Sequence, residues 1–102
     1  MELTFQEMKI NLATGGVKID NSQPAVLLVH GAGMDRTVWS QQTRYLAHHG
    51  FSPMAVDLPG HGESAGELLS TIPEMADWVS GLIRELDVGP VRLVGHSMGS
   101  LI

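Results

Sequence analysis

An α/β fold built on a mainly parallel sheet is predicted by three features of the sequence. Short apolar runs alternate with stretches whose apolar residues fall at helical spacing. The run Ala25-Val26-Leu27-Leu28-Val29 carries no polar alternation. The apolar runs stop at glycine-containing turns. Strands that alternate with helices join in parallel through right-handed crossovers, and a strand covered by helices on both faces is apolar throughout. With 102 residues the chain holds one domain at most.

The elements follow in order. Leu3, Phe5, Met8, Ile10 and Leu12 predict a strand over Leu3 to Leu12, with a phase slip between Phe5 and Met8 that a bulge would explain. Ala13 to Gly16 is a turn, and Val17 to Asp20 predicts a short return strand, giving an N-terminal antiparallel hairpin. After the loop Asn21 to Pro24, the strand at Ala25 to Val29 ends at His30-Gly31-Ala32-Gly33. A helix is predicted over Val38 to His49, capped by Asp35 or Thr37 and closed by Gly50 in a left-handed conformation.

Phe51 to Val56 is the next strand, and Pro59, Gly60, Gly62 and Gly66 make the segment after it a loop. The clearest helix is Ile72 to Leu86. Thr71 and Glu74 have capping-box spacing, and Pro73 sits in the first turn, where its missing N–H costs nothing. Its predicted inner face is Ile72, Met75, Ala76, Val79, Ile83 and Leu86, and Gly89-Pro90 ends it. Val91 to Val94 is a last strand, from which Gly95-His96-Ser97-Met98-Gly99 turns into a helix start.

Composition excludes several function classes. The net charge is -5, and the six basic residues, Lys9, Lys18, Arg36, Arg44, Arg84 and Arg92, form no cluster, which argues against nucleic acid. There is no cysteine, so disulfides and thiolate metal sites are excluded. The longest apolar run is far too short to span a bilayer, and the first ten residues mix Glu2, Glu7 and Lys9 with apolar residues, unlike a secretory signal. A cytoplasmic protein is expected.

The chemistry lies in Gly95-His96-Ser97-Met98-Gly99. A serine hydroxyl is a poor nucleophile until a base takes its proton and donors receive the oxyanion. A sharp strand-to-helix turn exposes the hydroxyl, needs small residues two before and two after it, and aims the next N–H at the oxyanion. The pattern G-x-S-x-G also occurs at Gly62-Glu63-Ser64-Ala65-Gly66, so the motif alone decides nothing. Ser97 directly follows an apolar strand, whereas Ser64 follows Pro59-Gly60-His61-Gly62. Ser97 is therefore the candidate nucleophile and Ser64 a polar loop residue. The plain alternative for Ser97 is a helix N-cap serine.

Three segments stand in order: Leu28-Val29-His30-Gly31-Ala32-Gly33, Asp57-Leu58-Pro59-Gly60-His61-Gly62-Glu63-Ser64, and Val94-Gly95-His96-Ser97-Met98-Gly99. Together they resemble the α/β-hydrolase superfamily, in its branch of esterases, lipases and related acyl hydrolases, from about Leu3 to Ile102. The resemblance implies an α/β-hydrolase fold with a serine that forms an acyl-enzyme. It implies that the backbone N–H groups of Ala32 and Met98 make the oxyanion hole, and that His30, Gly31, Gly95, His96 and Gly99 shape the elbow and its facing loop. It gives Asp57 a structural part and places the triad acid and base later in the chain than Ser97, so that none of His30, His48, His49, His61 or His96 is the base. It implies no cofactor and no metal, and a small-molecule acyl substrate as partner.

The same resemblance implies a core of roughly 200 residues or more. The 102 residues are then expected to be the N-terminal part of one such domain, truncated after the elbow and inactive alone, with the strand at Val91 to Val94 left as an open, aggregation-prone edge. Two alternatives stay open: the same fold performing C–C bond hydrolysis, elimination or acyl transfer, and a non-catalytic fragment that needs a partner to complete its sheet. Met34 and Trp39 are also left with two readings, lining for an acyl pocket or core.

Overall fold

The computed structural model describes residues 1–102. Five strands form one mixed sheet in the order β1-β2-β4-β3-β5: β1 is Glu2–Phe5, β2 Met8–Ala13, β3 Ala25–Val29, β4 Ser52–Val56 and β5 Val91–Gly95. The sheet is parallel where β4, β3 and β5 adjoin, and antiparallel at β1-β2 and β2-β4. The helices are α1, Ser40–Ala47, entered through a 3-10 turn at Arg36–Trp39; α2, Ile72–Leu86; and α3, Met98–Leu101.

The uninterrupted apolar run of β3 is explained by layers on both faces. Ala25, Leu27 and Val29 join the core that holds Met54, Val56 and the α2 residues Trp78, Val79 and Leu82. Val26 and Leu28 point the other way, with Ala55, against Trp39, Leu46 and Phe51. Successive strand side chains alternate between faces, so a strand with two covered faces has no place for a polar residue.

The N-terminal hairpin differs from the sequence expectation. The chain reverses at Gln6-Glu7, where β1 and β2 pair with Phe5 opposite Met8. Both turn residues have positive φ, 52° and 64°. Two such residues match a type I′ turn, whose usual Asn-Gly signature is missing here. The phase slip was therefore a turn rather than a bulge, and Val17 to Asp20 forms no strand.

Helix boundaries follow local chemistry. Asp35 accepts the Thr37 N–H at 2.8 Å and starts the 3-10 turn before α1, so the helical stretch begins two residues earlier than expected and α1 itself ends at Ala47. Past it, Gly50 is left-handed at φ 84° and Phe51 N–H reaches back to Leu46 C=O. Thr71 Oγ1 accepts the Glu74 N–H at 3.2 Å at the start of α2, while Asp87, left-handed at φ 50°, ends it two residues before the expected glycine. The buried stripe of α2 centres on Trp78, Val79 and Leu82, rotated from the predicted face, which omitted Trp78 and Leu82. Trp78 meets Phe5 edge to face, with ring centroids 5.5 Å apart.

The outer edge of β5 is unpaired, and Leu93 and Val94 are 58% and 40% exposed. No helix is long and apolar enough to cross a membrane.

Candidate active site

The chain reverses from β5 into α3 at Ser97, whose φ of 56° and ψ of -116° lie outside the regions open to an L-residue at low cost. Such strain costs about 1–3 kcal/mol and persists only where the surroundings enforce it. Here they are small residues. A Cβ on Gly95 would lie 2.5 Å from the carbonyl carbon of Gly99, and one on Gly99 would overlap the carbonyl oxygens of Val29 and His30. The turn is thus clamped between α3 and the end of β3. Gly99→Ala is expected to lower stability by about 3 kcal/mol in urea denaturation, because the atoms it meets are backbone of a central strand and cannot rotate away. A loss under 0.5 kcal/mol would show that the clamp is loose.

The second loop, Gly31 to Met34, lies against this turn. A Cβ on Gly31 would stand 3.2 Å from both Ser97 Cβ and His96 O. Met34 N–H closes the loop onto Gly31 C=O at 3.2 Å, and Gly33 is left-handed at φ 70°. The structure thus brings Gly31, His96 and Ser97 together from segments distant in sequence. The N–H groups of Ala32 and Met98 donate to no group in the chain, and Ser97 Oγ makes no hydrogen bond. Ser97 and Ala32 are exposed.

His30 is fully buried. Its Nδ1 lies 2.7 Å from Gly31 C=O, an acceptor, so Nδ1 carries the proton; Nε2 then accepts the Leu58 N–H at 3.1 Å. Burial holds the imidazole below its ordinary pKa, which keeps this neutral tautomer. His30 thereby ties the end of β3 to the segment after β4. The His61 ring lies 4.8 Å from it, and His61 Nδ1 faces the carbonyl oxygen of Pro59. His96 meets Trp39 edge to face, and His49 stacks on Tyr45. No histidine is hydrogen-bonded to Ser97.

Asp57, wholly buried, organises the loop after β4. Its carboxylate accepts the Arg36 N–H at 2.6 Å, the Arg36 guanidinium at 2.5 Å and the Glu63 N–H at 2.9 Å. Arg36 also reaches Glu63 Oε1 at 3.0 Å. Burial pulls the Arg36 pKa down, but its hydrogen bonds and charge contacts with Glu63 and Asp57 outweigh this and hold it above its ordinary value. Ser64 is buried and its Oγ accepts the Asn11 N–H at 2.9 Å, joining this loop to β2. No three His, Asp or Glu side chains are grouped so as to hold a metal ion.

Trp39 fits both of its readings: it packs on the α1 side of the sheet and also lines, with Met34 and His96, a cavity of about 300 Å³. Met34 lines a cavity of about 520 Å³ beside the elbow, with Ala32, Met98, His61, Leu68 and Met75. Met75 was expected on the inner face of α2 and Leu68 in a loop, and neither was expected beside the elbow, since loop and helix meet there only through the fold.

A profile described as the alpha/beta hydrolase family matches residues 26–102. The chain is 40% identical over 78 residues to an (E)-2-((N-methylformamido)methylene)succinate hydrolase of Acinetobacter baylyi, covering 76% of this chain and 29% of that protein. It is 36% identical over 83 residues to a pimeloyl-[acyl-carrier protein] methyl ester esterase of Methylococcus capsulatus, covering 78% and 29%. Among solved structures, a membrane phospholipase A described as a bacterial virulence factor superposes with a TM-score of 0.84 at 28% identity, over 97% of this chain and 31% of that one. The chain thus spans about a third of the length of the proteins it matches. With the profile running from β3 through the serine turn to the last residue, this chain belongs to the α/β hydrolase family.

Proposed function

We propose that this chain carries the nucleophile and oxyanion donors of a serine hydrolase acting on esters or related acyl compounds. The observation that supports it most is the strained Ser97, exposed and free of hydrogen bonds, beside two backbone N–H groups without acceptors. Ser97 Oγ attacks the carbonyl carbon and its proton passes to a histidine base that lies outside these residues. The carbonyl oxygen, now an anion, accepts from Ala32 and Met98 N–H, each such donor contributing about 3 kcal/mol to the transition state. Collapse expels the alcohol or thiol, which takes the proton, and leaves the acyl group on Ser97. Water, activated by the same base, adds to the acyl carbon and releases the acid and the free serine. The related methyl ester esterase fits this substrate class.

The test is labelling of the full-length protein with a fluorophosphonate probe, read by peptide mass spectrometry. One adduct is expected, on Ser97, lost in Ser97→Ala and kept in Ser64→Ala. An adduct on Ser64, or none at all, refutes the assignment.

A further inference from the structure

His30 reaches the loop Gly31 to Met34 through one carbonyl. Its Nδ1–H and the Met34 N–H both donate to Gly31 C=O, at 2.7 and 3.2 Å. That carbonyl and the Ala32 N–H belong to one planar trans peptide, in which they point opposite ways. The two bonds that hold the carbonyl therefore also set the direction of the Ala32 N–H.

The other ring nitrogen has no room for a proton. Nε2 accepts the Leu58 N–H at 3.1 Å, and both residues are buried. A proton taken from solvent onto Nε2 would set two N–H groups against each other, and one would have to move or stay buried without an acceptor. The Leu58 side is fixed, because its neighbour Asp57 holds the Arg36 and Glu63 N–H groups. The Gly31 side is freer. Gly33 is left-handed, and nothing stands within 4 Å of a Cβ built on it. A charged ring that turns away from Leu58 takes its hold on the Gly31 carbonyl with it.

Three ionisable groups face the ring. His61, from the loop after β4, lies 4.8 Å away between ring centroids; the others are Asp57, just after β4, and Asp35, ahead of the 3-10 turn. Burial, the largest influence, and His61 disfavour a charged His30. The Gly31 carbonyl, Asp57 and Asp35 favour one, and the balance holds the ring below its ordinary pKa. The unfolded chain, at the ordinary value of about 6.5, takes up this proton first. The stability supplied by neutral His30 is thus full above about pH 6.5 and is lost as pH falls through the folded-state pKa.

We propose that neutral His30 is the positioning residue that aims the Ala32 N–H, and that its protonation releases the Gly31–Ala32 peptide and withdraws that donor from the site. The site then has an acid limit of its own, separate from that of any base. The part given to Ala32 in catalysis rests on the serine-hydrolase reading above, whereas the motion of the peptide does not.

The experiment follows the ¹⁵N-labelled protein by NMR across the histidine range, about pH 8 to about pH 5, unaltered and as His30→Gln. Glutamine can place its Oε1 near the position of Nε2, where it accepts the Leu58 N–H and carries no titrating proton. It does not replace Nδ1–H, so pH dependence is compared and not absolute rate. The Ala32 and Gly33 amides are expected to shift with the His30 ring nitrogens, at one midpoint below about 6.5, and to stay still in His30→Gln. Between about pH 6.5 and that midpoint, the unfolding constant of the unaltered protein should rise up to about tenfold more per pH unit than that of His30→Gln. Fluorophosphonate labelling of Ser97 should fall across the titration roughly a hundredfold further in the unaltered protein. Amides at Ala32 and Gly33 that stay fixed while His30 titrates, or until the protein unfolds as a whole, overturn the proposal. Persistence of their titration in His30→Gln does the same, by assigning it to another group. Labelling absent at every pH removes the serine-hydrolase reading and leaves the amide titration standing.

Discussion

Ser97→Gly is expected to make the protein more stable and catalytically dead. Glycine adopts φ 56°, ψ -116° without the steric cost a Cβ imposes, so relief of the strain should raise stability by about 1–3 kcal/mol in chemical denaturation. Ser97→Ala keeps the Cβ and should leave stability within about 0.5 kcal/mol of the parent. Both should lose activity by about 10⁶-fold if the serine acts with a base as a unit. The pair of variants separates two roles in one residue. A helix-capping serine would cost stability on removal, and Ser97 makes no cap hydrogen bond. Equal stability of the two variants would show that the turn holds no strain.

Asp57→Ala is expected to cost about 4 kcal/mol of stability, since it leaves Arg36 buried in part with one of its two carboxylates gone and two backbone N–H groups without acceptors. Asp57→Asn keeps an acceptor oxygen and should cost about half as much. A Cβ at Gly62 would overlap the Asp57 carboxylate, so the loop is wound closely around that group and its removal should loosen the cavity wall at Gly60 to Leu69 as well. Urea denaturation measures the first effect and methyl shifts at Met75 the second. A loss below about 1 kcal/mol would place Asp57 with ordinary surface ion pairs.

Features set by local chemistry were legible in the sequence. The strand at Ala25 to Val29, the helix at Ile72 to Leu86 with its Thr71 cap, and the small residues flanking Ser97 all follow from patterns within a few positions. The turn at Gln6-Glu7 was hidden because neither residue type signals positive φ. The inner face of α2 was misjudged because Trp78 turns inward only to meet Phe5, a partner from the far end of the chain. The Arg36-Asp57-Glu63 network, the Ser64 bond to Asn11 and the methionine-lined cavity were illegible for the same reason. Each joins groups that only the tertiary fold brings together.

The register between β3 and β5 sets an order of assembly. Ala25 pairs with Val91 and Val29 with Gly95, so the strand that delivers Ser97 docks on a partner formed much earlier in the chain. β1 and β2 close a two-residue loop, and β4 meets β3 across one helix. Loop-closure entropy is paid before a contact returns any energy, and distant pairings are slow. The β5 pairing is therefore expected to form late in folding, and Ser97 acquires its strained geometry at that step. Substitutions at Gly95 or Gly99 should accordingly act on the unfolding rate far more than on the folding rate.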